Sequence, residues 1–127
     1  MPIKFDTDHA ARRMLVTASQ PFTEDDVNAY IDARFERGAW VYSVIIDLRE
    51  LSDWMPSVQV VKAFMERLGS FGETFKERGP VAFVVNHSDP ALYGMIRMYS
   101  IMADMRRHPR VDVFYAIENA VAWLDQQ

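Results

Sequence analysis

Few side chains in this sequence have the type and spacing to do chemistry. His9, His87 and His108 are far apart, with no His-x-x-x-His pair and no acidic metal-binding loop, so they read as loop histidines, and neither zinc nor magnesium is expected. Cysteine is absent, which removes thiolate metal sites, cysteine nucleophiles and disulfides and permits a reducing compartment, with the cytoplasm as the expected location. No G-x-S-x-G elbow sets a serine beside a base, and Gly69-Ser70-Phe71-Gly72 lacks the preceding strand and the lysine of a phosphate cradle. No cofactor is expected. What remains is a polar set behind two apolar runs: Asp47, Arg49, Ser52, Asp53 and Trp54 after one, Asn86, His87 and Ser88 after the other. In an open α/β sheet, the carboxyl ends of such strands border the ligand crevice. Asp47 and His87 would there be the acid and base of a hydrolase or transferase. The simpler reading has Asp47 capping a turn and Asn86-His87-Ser88 forming a solvated connection.

Two charged clusters also have plain explanations. Arg106, Arg107, His108 and Arg110 stand where cations complement a helix C-terminus, and a phosphate, an anionic lipid or an acidic partner is the functional alternative. Glu24-Asp25-Asp26 supplies the negative first turn that a helix favours. Ser57, just ahead of an apolar helical run, is the type of residue that caps a helix by accepting a backbone N–H.

These residues must be positioned by strands and helices, and the apolar pattern gives both. Ile3 to Asp6 and Arg13 to Ala18 are short β-prone runs around a polar turn. Thr23, with Asp26 three residues on, opens a helix whose Val27, Tyr30, Ile31 and Phe35 share a face, and Gly38 closes it. Trp40 to Leu48 reads as a central strand. Val58 to Phe75 keeps helical spacing, weakened by Gly69 and Gly72. Val81 to Val85 is a further strand, Asp89-Pro90 starts a helix reaching Met105, Val111 to Tyr115 is the last strand, and Ile117 to Leu124 form a terminal helix. The order β-β-α-β-α-β-α-β-α predicts one α/β domain over residues 1–127 with a mostly parallel sheet and the first strand antiparallel at an edge.

The helix from Pro90 to Met105 carries more apolar surface than one core contact needs. Leu92, Met95, Ile96, Tyr99, Met102 and Ala103 form one stripe and Gly94, Met98, Ile101 and Met105 a second, together roughly 220° of the circumference. Its polar arc is restricted to Tyr93, Arg97, Ser100 and Asp104. Either the helix is deeply buried, or Met98, Ile101 and Met105 form a second surface for a partner subunit or an apolar ligand, a use that suits flexible methionine.

This order of elements, with a strand ending Val44-Ile45-Ile46-Asp47-Leu48 and a long helix after the next loop, resembles the STAS domain of anti-sigma-factor antagonists. Val111-Asp112-Val113-Phe114, Ala120 and Trp123-Leu124 resemble the closing strand and helix of the SpoIIAA-like proteins, a STAS/SEC14-related group. The resemblance implies a regulatory or scaffolding module that binds a protein. It also makes Ser57 the candidate phospho-acceptor position, although in Met55-Pro56-Ser57-Val58 no acidic residue precedes the serine and Val58 stands where the family has glycine.

A chain of 127 residues, half of them hydrophobic, can build one substantial core. The net charge of −4 argues against general nucleic-acid binding. No apolar stretch approaches the roughly 20 residues of a spanning helix, and MPIKFDTDHAARR has no apolar signal core. The function expected is therefore non-enzymatic binding of a protein partner, including self-association. Binding of a small apolar or lipid-like molecule is the alternative, and an enzyme using Asp47 and His87 the third reading.

Overall fold

Val44-Ile45-Ile46, Val81 to Val84 and Val111 to Val113 are rich in β-branched residues, which pack well on a pleated surface with helices against it. A computed structural model of the chain describes residues 3–20, 23–51, 78–105 and 110–127, with the backbone only at 99 and 102–105. The elements are β1 (Ile3–Asp8), β2 (Arg13–Ala18), α1 (Glu24–Glu36), β3 (Ser43–Asp47), β4 (Val81–Val84), α2 (Pro90–Met105), β5 (Val111–Phe114) and α3 (Ile117–Asp125). They build a five-stranded sheet of order β1-β2-β3-β4-β5 in which β1 lies antiparallel to β2 and every other pairing is parallel. The sheet and its antiparallel edge strand match the pattern read from the sequence. The helix expected over Val58 to Phe75 lies outside the described residues, as does Ser57.

The side-chain alternation of the strands divides the core in two. Met14, Val16, Val44, Ile46, Val111 and Val113 point to the face covered by Tyr30 and Ile31 of α1 and Leu92 and Ile96 of α2. Ile45, Ala82 and Val84 point to the other face, where Ala120 and Leu124 of α3 cover them. A right-handed crossover between parallel neighbours always rises on the same side when the strands are added in one direction, which is why α1 and α2 share a face.

Local signals fix the helix ends. The Asp26 carboxylate accepts the Thr23 backbone N–H at 2.9 Å and its hydroxyl at 3.1 Å. Gly38, at φ +66°, donates to the Phe35 carbonyl at 3.0 Å while Ala39 donates to that of Arg34 at 2.9 Å, the paired bonds of a Schellman stop. Asp89 caps α2 by accepting the Leu92 N–H at 3.3 Å, and Pro90 fills the first helical position, where a missing N–H costs nothing.

Two expectations need correction. The third strand begins at Ser43, not Trp40, because residues 39–42 form a turn held by a buried side chain of α1. That side chain is Arg34, only 1% exposed, while Phe35, expected on the core face, is 37% exposed and stacked on Trp40 with ring centroids 4.2 Å apart.

Candidate functional site

The carboxyl edge of the sheet was the candidate crevice, and its geometry starts from Asp47. This buried carboxylate binds Arg49 through both oxygens, Nε to Oδ1 at 3.0 Å and Nη2 to Oδ2 at 2.9 Å, and Oδ1 also accepts the Arg49 backbone N–H at 3.0 Å. The last bond closes an Asx turn at the end of β3. The hydrogen bond to Asp47 holds the Arg49 guanidinium above its ordinary pKa, against a smaller lowering by burial, with the charges of Asp47, Glu118 and Glu50 adding to the rise. Asn86 makes the equivalent turn after β4: its Oδ1 accepts the Ser88 N–H at 3.0 Å and the Ser88 hydroxyl at 2.8 Å. His87 is exposed between them.

Sequence neighbours of the crevice are not brought together as a catalytic pair. Asp47 is in register with Val84, so its side chain points to the face that α3 covers, whereas the loop carrying Asn86, His87 and Ser88 leads into α2 on the opposite face. No hydrogen bond joins Asp47 to His87 among the described residues. The order of the described strands also never reverses. A ligand crevice opens in an open α/β sheet where neighbouring crossovers diverge to opposite faces at such a reversal, and there is none among the described strands. Ser52, Asp53 and Trp54 lie outside the described residues. So do Arg106, Arg107 and His108, while Arg110 is exposed and its carbonyl receives the Val81 N–H at 2.9 Å.

On α2, Leu92 and Ile96 are buried, and so is Ser100, whose hydroxyl donates to the Arg97 carbonyl at 2.7 Å. Placing Ser100 on the inner face corrects the polar arc read from the sequence: once its hydroxyl is bonded one turn back, the residue sits inside without an orphaned donor. The outer face carries Met98 at 59% and Ile101 at 52% exposure. The Met105 side chain lies outside the description. At about 100° per residue, Arg97, Ile101, Gly94 and Met98 span about 100° of outward arc, and three of these four are apolar or lack a side chain.

A polar cluster that sequence reasoning passed over lies at the opposite end of the sheet. Arg34 donates from Nε to the Ala39 carbonyl at 3.2 Å, from Nη1 to the Tyr30 hydroxyl at 3.2 Å, and from Nη2 to the carbonyls of Tyr42 at 2.7 Å and Gly79 at 3.3 Å. Its guanidinium carbon is 5.4 Å from the Trp40 ring centroid. Burial lowers its pKa from the ordinary arginine value, the Arg78 charge lowers it further, and Tyr30 acts in the other direction. The cluster joins α1 to the entries of β3 and β4. Tyr30 and Arg34, four apart on one helical face, were the available signal.

No family model matches this chain, and no curated protein matches it in sequence. Among solved structures it is similar to an uncharacterised protein of the DUF3478 family with a SpoIIAA-like fold from Shewanella loihica PV-4, at a TM-score of 0.61 and 18% identity over 96% of this chain and 91% of that one. Identity at that level speaks for backbone architecture alone. With its antiparallel edge strand, four parallel strands and two-sided helical cover, the chain has a SpoIIAA-like, STAS-type α/β fold.

Proposed function

We propose that this protein is a non-enzymatic regulatory or scaffolding module that binds a protein partner, including a second copy of itself, through the outer face of α2. The observation that carries this reading is the exposure of Met98 and Ile101, one turn apart on the face of α2 opposite Leu92 and Ile96. Contiguous apolar surface left in water marks interaction sites more often than scattered apolar residues do. An apolar or lipid-like ligand would need these side chains to line an enclosure, and their exposure favours a protein surface over it. Catalysis by Asp47 and His87 draws no support from an aspartate whose two oxygens are both engaged by Arg49. No described helix is long and apolar enough to cross a membrane.

The test is Ile101→Glu, followed by sedimentation velocity and circular dichroism. The expected result is weakened association with the fold kept within about 0.5 kcal/mol of wild type, because an exposed charge is solvated whenever the partner is absent. An unfolded variant would place Ile101 in the core and end the reading. So would a wild-type chain that stays monomeric at millimolar concentration and retains no protein when purified from its own host.

A further inference from the structure

Strand β5 closes one edge of the sheet, and the outer edge of a terminal strand is a template on which another chain can pair. The amides of Val81, at the start of β4, and Val85, just past its end, donate to the carbonyls of Arg110, just before β5, and Phe114, its last residue, so the even-numbered positions along this stretch turn their backbone groups toward β4 and Val111 and Val113 turn theirs outward. The outward N–H of Val113 is nevertheless taken. It donates to Oδ1 of Asp112 at 2.8 Å, and the same oxygen is ion-paired with Nη1 of Arg97. Asp112 is in register with Ala82 and points to the α3 face, whereas Arg97 belongs to α2 on the opposite face. The arginine side chain therefore crosses the outer edge of β5 to reach the carboxylate.

From this geometry we infer that the Arg97–Asp112 pair is a guard that keeps β5 from accepting the β5 strand of a second copy. It occupies the outward amide of Val113 with a side-chain acceptor and lays two charged groups across the edge, where an incoming strand would have to desolvate them. The inference concerns the sheet edge and not the α2 contact proposed above, although Arg97 stands beside Ile101 on the outward arc of α2, so the two are separated by adding Ile101→Glu.

The experiment compares wild type with Asp112→Thr/Arg97→Ala and with Arg97→Gln alone. The second substitution falls on a half-exposed side chain and keeps the fold even if the first does not. Sedimentation velocity over a concentration series should give a self-association constant raised about tenfold or more in the double variant and in the same direction for Arg97→Gln. Hydrogen exchange at the Val113 amide should be faster than wild type in the dilute double variant and slow again as it associates. Every variant is repeated with Ile101→Glu added, which should leave the gained association in place. Association unchanged from wild type in folded variants overturns the inference, as does a gain that Ile101→Glu removes.

Discussion

Replacing Arg34 with methionine keeps a long, flexible stem inside the protein and removes only the guanidinium, so it measures what that group holds together. Of its four acceptors, the Ala39 carbonyl keeps a second donor, the Tyr42 N–H at 3.2 Å, and the Tyr30 hydroxyl can reorient. The carbonyls of Tyr42 and Gly79 lose the Arg34 donor. Each buried acceptor left unpaired costs about 1–3 kcal/mol. The stacking over Trp40 adds about 1 kcal/mol. Relief of the guanidinium's own desolvation, the same effect that lowers its pKa, offsets part of this, leaving a net loss of about 2–4 kcal/mol. Urea unfolding followed by circular dichroism reads the loss as a lower midpoint at unchanged slope. Arg34→Lys should be no better, because an ammonium is more strongly hydrated and cannot span three carbonyls with a planar fork. Its pH dependence has a definite sign. Burial depresses a lysine's folded-state pKa below its unfolded value of about 10.4, so between the two the unfolded chain binds more protons and stability rises with pH. The Lys variant should regain stability as pH approaches 10, and wild type should not. A loss below about 1 kcal/mol for Arg34→Met would refute the claim that this cluster fixes the turn before β3.

Three further substitutions test the backbone. In Gly79→Ala the new Cβ would stand 2.2 Å from the Tyr42 carbonyl oxygen and 2.5 Å from that of Val41, so β3 and β4 must separate at their entry; a loss of about 3 kcal/mol or failure to fold is expected by thermal melting. Gly38→Ala meets no atom within 4 Å but forces a side chain into the left-handed region, and should cost about 1–2 kcal/mol, whereas Gly94→Ala, equally free of contacts but helical and exposed, should stabilise by about 0.5–1 kcal/mol. Equal melting temperatures for Gly38→Ala and Gly94→Ala would contradict the backbone argument.

The strands were legible because β-branched runs such as Val44-Ile45-Ile46 leave few alternatives, and the helix starts because Thr23 with Asp26 and Asp89 with Pro90 act through bonds only three residues long. Long-range partners were not. Arg34 sits in a helix with acidic and amide neighbours and reads as solvated; only the meeting of residues 30, 34, 42 and 79 in space makes it a core residue. Arg97 and Asp112 are likewise unremarked polar residues until α2 and β5 are placed side by side. At the candidate crevice, the turns made by Asp47 and Asn86 close over two residues and so are local, but the order of the described strands is a property of the sheet as assembled, and no local pattern encodes it.

That unbroken strand order also bears on how the chain acquires its structure. Each described strand after β1 pairs with the described strand that precedes it, so none of these has to wait for a later one or force its way between two already joined. The β1–β2 hairpin, closed by a turn of four residues, can form as soon as it leaves the ribosome, and β3, β4 and β5 can then dock one after another on a growing edge while α1 and α2 cover the same side. This order lets synthesis and folding run in the same direction. The exposed pairing edge moves along the sheet with each addition and comes to rest at β5, the strand on which Arg97 and Asp112 meet.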